Sequence, residues 1–110
     1  MGVTPEQAVT RLLDAGADVV GSNCGNGIDI MLEVATAMRA ATDAPLLIHS
    51  NAGIPTLVKG EIVYPESKEY MAERFKTLAE MGVNIVGGCC GTGPEHIRAL
   101  RVSVASLVQP

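Results

Sequence analysis

Apolar residues recur along the chain in two alternating arrangements. Val9, Leu12 and Leu13 fall at helical spacing, and after Gly16 comes a short, nearly continuous apolar run, Asp18-Val19-Val20-Gly21-Ser22-Asn23. The first arrangement is one face of a helix and the second a short buried strand. Thr4-Pro5-Glu6-Gln7 opens the helix, with Thr4 as N-cap, Pro5 at the first helical position and Gln7 completing a capping box. Gly16 stops it. The same order returns from Asp29, where Met31, Val34, Ala35 and Met38 share a face. Asp43-Ala44-Pro45 then breaks the helix and Leu46-Leu47-Ile48-His49 forms the second strand. It returns again from Ser67, with Met71, Phe75 and Leu78 as the stripe, Gly82 as the stop and Val83-Asn84-Ile85-Val86 as the third strand. Gly93-Pro94-Glu95 opens a last helix with Ile97, Leu100 and Val104 on one face.

Helices alternating with short apolar strands imply an α/β fold with a parallel sheet, because consecutive parallel strands need a crossover between them. Strand order does not follow from the pattern, so a doubly wound sheet and part of a (β/α)8 barrel are both compatible with it. One connection is irregular. Gly53 to Glu66 is expected to be a long loop after the second strand, with Val58-Lys59-Gly60-Glu61-Ile62 able to form a small hairpin or an excursion.

Composition narrows the function classes. In 110 residues, 47% hydrophobic and 18% charged residues describe a folded chain rather than a disordered one. A net charge of -4, with eight Lys and Arg scattered along the sequence, offers no basic stripe for nucleic acid. No apolar run approaches the roughly 20 residues that span a bilayer, and Met1 to Gln7 lack the regions of a signal peptide. The expected location is the cytoplasm.

Three cysteines, two of them adjacent, do not suit the paired framework of a small secreted disulfide protein. All three are expected where strands end: Cys24 after Asn23, and Cys89-Cys90 after Gly87-Gly88. Loops at the carboxyl ends of parallel strands are where such folds place their sites. Adjacent strand residues point to opposite sides, so two neighbouring cysteines serve one site only if the chain turns, and Gly87, Gly88 and Gly91 supply that freedom. Inert core thiols, a metal site and a redox pair are the alternatives that the residues leave open, although no Cys-x-x-Cys spacing supports the redox one. Three soft thiolates around zinc would leave one tetrahedral position open for a substrate. In that case the sulfurs are expected within about 4 Å of one another.

Other residues carry weaker signals. His49, at the end of the second strand, reads as hydrogen-bonded scaffold before it reads as a ligand, and His96 reads as solvated or capping. Ser50-Asn51-Ala52-Gly53 admits two roles, a backbone nest for a substrate carboxylate or a shaped turn. Gly25-Asn26-Gly27 before the second helix lacks the Lys of a phosphate loop. Glu66-Ser67-Lys68-Glu69 reads as a solvated helix start.

Gly21-Ser22-Asn23-Cys24-Gly25, together with Gly87-Gly88-Cys89-Cys90-Gly91-Thr92 and Pro94-Glu95-His96-Ile97, resembles the homocysteine-binding domain of the homocysteine S-methyltransferase family. The likeness runs from about Gly2 to about Arg101. It implies a (β/α)8 barrel whose zinc is held by Cys24, Cys89 and Cys90. By that resemblance zinc presents the homocysteine thiolate for methylation to methionine, and no residue of the chain is assigned as a catalytic acid or base. The methyl donor is methylcobalamin, betaine or S-methylmethionine, with any cobalamin bound by another domain. A family barrel takes roughly 250 residues, so residues 1–110 correspond to the C-terminal portion of the domain, its last three strands of eight. In the family the acidic residues that bind the substrate's amino group lie in the preceding part. The chain is therefore expected to associate with the remainder of the barrel or with itself, and to have little activity alone; the alternative reading is a non-catalytic zinc-binding or degenerate barrel fragment.

Overall fold

The Thr4 capping box forms as the sequence implies: the Thr4 hydroxyl accepts from Gln7 N–H, and the Gln7 side chain accepts from Thr4 N–H. It starts helix α1, Pro5–Asp14. The computed structural model describes residues 2–107. After α1 come β1 (Val20–Cys24), α2 (Ile28–Ala41), β2 (Leu46–Ser50), β3 (Thr56–Val58), β4 (Glu61–Val63), α3 (Lys68–Glu80), β5 (Ile85–Gly88) and α4 (Pro94–Val104). Among the described residues, no helix is long and apolar enough to cross a membrane.

The fold is α/β with three parallel strands in the order β1-β2-β5, each joined to the next by a helical crossover. Successive helices contact one another and pack on the sheet. Along β2 burial alternates, with Leu46, Ile48 and Ser50 buried and Leu47 and His49 half-buried. Period-two alternation means that one face meets the helices and the other does not. The core between the two layers is the expected one, built on Val20, Met31, Ala35, Met38, Leu46, Ile48, Met71, Phe75 and Leu78. Leu12 and Ile97 are exceptions: the helical stripes put both on buried faces, and both are 45% exposed. They lie on α1 and α4, the two ends of the helix row, each of which has a helical neighbour on one side only among the described residues.

All three main strands differ from the pattern at their boundaries. The first runs from Val20 to Cys24 rather than from Asp18 to Asn23, the second ends at Ser50 rather than His49, and the third ends at Gly88 rather than Val86. The third starts at Ile85 rather than Val83, because Asn84 holds both polar groups of Leu46: its N–H donates to Leu46 O and its Oδ1 accepts from Leu46 N–H. Ladder pairing with β2 begins only beyond that bracket, at Leu47 opposite Ile85. The loop from Gly53 to Glu66 contains the expected hairpin, with Leu57 opposite Ile62. Its two-residue turn, Lys59-Gly60, has positive φ at both positions, the geometry that matches strand twist.

Candidate metal centre

Parallel strands in register finish together, and that alone brings the cysteines to one end. Cys24 is level with Ser50, and Ser50 with Gly88. Cys89 and Cys90 follow directly. The Sγ atoms of Cys24 and Cys89 are 2.9 Å apart and those of Cys89 and Cys90 4.0 Å. All three lie within 4.8 Å of one another, a group able to hold a metal ion. Ligands of one tetrahedral zinc at 2.3 Å would be about 3.8 Å apart. The spread is slightly wider than the expected 4 Å, and shifts of about 1 Å would reach that geometry.

Local backbone aims these sulfurs. Cys24 has φ of +66°, a left-handed conformation that costs a non-glycine residue on the order of 1 kcal/mol or more. It turns the chain out of β1 at the residue that carries the thiol. On the second loop the turn is made at Gly91, φ +82°. Gly87 and Gly88 have no positive φ and serve a different purpose from the one expected. A Cβ on Gly87 would come within 2.8 Å of the His49 ring, and one on Gly88 would run into the Thr92 side chain. Their role is space rather than rotation.

Asn51 ties the two cysteine loops together. Its N–H donates to Cys24 O at 3.2 Å, its Nδ2 donates to Gly25 O at 3.0 Å, and its Oδ1 accepts from Cys90 N–H at 3.0 Å. Ala52 N–H donates to Cys90 O, and Cys89 N–H to Ser50 O. These bonds decide between the two readings of Ser50-Asn51-Ala52-Gly53. The N–H groups of Asn51 and Ala52 are already taken by protein carbonyls, so the segment is a shaped strap and they make no nest for a carboxylate. The importance of Asn51 is not legible in the sequence, because a turn asparagine is common and only the tertiary pairing shows its three partners.

His49 lies on the half-buried face of β2, outside the three-sulfur group. His96 caps α4: its Nδ1 accepts from Gly93 N–H at 3.2 Å. The phosphate reading of Gly25-Asn26-Gly27 gains no support, since the Ile28 N–H at the start of α2 donates to the Glu66 carboxylate.

The thiols perturb one another. The bond with Cys89, followed by burial and the neighbouring sulfur charges, pushes Cys24 from an ordinary 9.0 up to about 11. The same bond holds Cys89 below its ordinary value, chiefly because a Cys89 thiolate accepts from the Cys24 thiol. Cys89 therefore ionises first and Cys24 stays protonated, since adjacent like charges resist. A dication removes that opposition by stabilising all the thiolates together. Thiolate absorbance of the chelator-treated protein is expected to rise in separate steps, one below pH 9 and a late one near pH 11. Zinc added at pH 7 should release protons, including that of Cys24. A single step near pH 9 for Cys24 and Cys89 together, unaltered by zinc, would contradict this coupling.

The chain resembles known proteins over nearly all of its length. It is 36% identical over 104 residues to the methionine synthase of Mycobacterium tuberculosis (strain ATCC 25618 / H37Rv), covering 94% of this chain and 9% of that protein. It is 37% identical over 99 residues to the methionine synthase of Mycobacterium leprae (strain TN), covering 89% of this chain and 8% of that protein. The chain thus spans about a tenth of the length of these relatives. The fold matches that of the metallated homocysteine methyltransferase MmuM from Escherichia coli, with a TM-score of 0.66 at 20% identity, over 88% of this chain and 28% of that one. Residues 1–104 match the homocysteine S-methyltransferase family itself. With both cysteine motifs inside that span and their sulfurs together at the carboxyl end of the sheet, the chain belongs to the homocysteine S-methyltransferase family.

Proposed function

We propose that residues 1–110 form the C-terminal portion of a homocysteine-binding domain, three βα units of a (β/α)8 barrel. In this reading Cys24, Cys89 and Cys90 hold a zinc ion that takes up homocysteine for S-methylation to methionine. The observation that carries it is the convergence of three sulfurs from two strand ends within 4.8 Å. Three thiolate ligands leave one position of a tetrahedral ion open, as in catalytic rather than structural sites. Zinc bound there lowers the pKa of the substrate thiol, so that its sulfur is nucleophilic at neutral pH.

The chain's own residues supply position. The left-handed turn at Cys24 and the Asn51 strap fix the direction of the sulfurs, and the face of β2 bearing Leu47 and His49 becomes barrel interior once the remaining strands close around it. The walls that would meet the amino and carboxylate groups of homocysteine belong to those strands. The methyl donor, whether methylcobalamin held by another domain, betaine or S-methylmethionine, approaches from the cysteine end. The methionine synthase relatives support methionine as the product. Three unpaired thiols suit the cytoplasm, where cysteines stay reduced.

Zinc K-edge absorption tests the reading. Adding homocysteine to the zinc-loaded protein is expected to bring a fourth sulfur into the shell, with the substrate entering the open position. A shell that is closed beforehand and unchanged afterwards would mark a non-catalytic zinc site.

A further inference from the structure

Three loops at the carboxyl end of the sheet meet at one residue that lies in neither cysteine motif. Glu66 follows the β3–β4 hairpin, and each of its polar groups reaches a different segment. Its Oε1 accepts from Ile28 N–H at 3.0 Å, at the start of α2 and four positions beyond Cys24. Its N–H donates to Ala52 O at 3.0 Å, and Ala52 N–H in turn donates to Cys90 O at 2.9 Å. Its carbonyl lies 3.1 Å from Nε2 of His96, whose Nδ1 accepts from Gly93 N–H. A nitrogen that accepts an N–H carries no proton, so Nε2 holds the ring proton and donates to Glu66 O. Packing around the carboxylate is equally close. A Cβ on Gly27 would lie 2.5 Å from Glu66 Oε2 and 3.3 Å from the Cα of Gly53, and Gly27 itself has φ of +124°.

These contacts bear on Cys24 because its conformation is strained. A residue held at positive φ stays there only while its surroundings impose it. Asn51 holds the Cys24 loop at its near side, and the Glu66 carboxylate holds its far side by capping α2, where the helix dipole favours a negative charge. If α2 frays, the turn at Cys24 is free to relax and its sulfur swings away from Cys89. We infer that Glu66 is a positioning residue: it clamps the Cys24 loop against the Cys89-Cys90 loop and so sets the affinity of the sulfur cluster for a thiophilic divalent cation. The inference rests on the metal reading of that cluster. The clamp needs an acceptor at the right reach. Glutamine preserves both, whereas aspartate keeps the charge and is one methylene too short.

The test is a cobalt(II) titration of the full 110-residue chain against a competing chelator. Sulfur-to-cobalt charge-transfer bands and visible ligand-field bands are recorded, with the unfolding midpoint of the metal-free protein measured in parallel. Glu66→Ala and Glu66→Asp are expected to weaken cobalt binding about tenfold and to alter the ligand-field bands, whereas Glu66→Gln stays close to the parent. Glu66→Ala binding cobalt as the parent does, with the same spectrum, overturns the clamp even if its metal-free form is less stable, since that result describes a merely structural residue. Glu66→Gln as weak as Glu66→Ala overturns it too. Should Glu66→Ala fail to fold, equal affinities of Glu66→Gln and Glu66→Asp overturn the clamp in its place. A parent chain that shows no sulfur-to-cobalt bands refutes the metal reading instead, a result distinct from failure of the clamp.

Discussion

Changing Cys89 or Cys90 to alanine is expected to take the protein from about one zinc per chain to almost none, and Cys24→Gly should do the same while making the metal-free chain more stable. A zinc site with three protein ligands has no spare one, and zinc binds only where deprotonated ligands are already brought together. The Cys24 variant separates function from folding. Glycine adopts φ near +66° without the penalty that cysteine bears, so removing the thiol also relieves strain, by about 1 kcal/mol. Elemental analysis of reduced protein purified without chelator reads the first effect, and denaturant unfolding of chelator-treated protein reads the second. Full zinc in all three variants would rule out the shared site. A less stable Cys24→Gly protein would mean that the strain relieved at Cys24 is smaller than the folding entropy that glycine costs there.

The second large effect concerns turnover. On the proposed partial-barrel reading, the chain alone is expected to form methionine at a rate orders of magnitude below that of a complete barrel, and to associate with itself or with the remaining barrel units. Both outer strands of the three-stranded sheet, β1 and β5, carry unpaired edges among the described residues. Open parallel edges are surfaces that other strands add to, and barrels abolish them. Ile85 and Val19, near those edges, are 46% and 43% exposed. A substrate sulfur held at the cysteines, with no wall for its amino and carboxylate groups, is poorly oriented, and misplacement of about 1 Å can cost roughly a hundredfold in rate. Zinc binding should suffer far less, since the three thiolates come from this chain. Light scattering across a concentration series, with methionine formation assayed alongside and then repeated after co-expression of the preceding barrel units, measures both parts. A monodisperse monomer with full activity would show that the three strands suffice.

Much of the protein is legible in its sequence because the signals are local. The Thr4 cap, the helical stripes and the hairpin around Lys59-Gly60 each depend on residues within a few positions of one another, and they form where the pattern puts them, apart from the exposed Leu12 and Ile97. The site is legible in outline for the same reason: strands that end in cysteine, in a parallel sheet, deliver their thiols to one end. Tertiary structure decides what depends on contacts between distant segments. Only the pairing of Asn84 with Leu46 sets where β5 begins, and only packing against His49 and Thr92 shows why Gly87 and Gly88 are glycine. The positive φ at Cys24 has no sign in the sequence, because cysteine has no preference for it and a web of bonds from Asn51 and Glu66 surrounds the turn. Glu66 reads as part of a solvated helix start, and it is the partners it finds 14 and 38 positions back along the chain, Ala52 and Ile28, that place it among the cysteine loops. Periodicity and capping act over a turn or two of chain, whereas a site held by such bonds exists only after the strands have come into register.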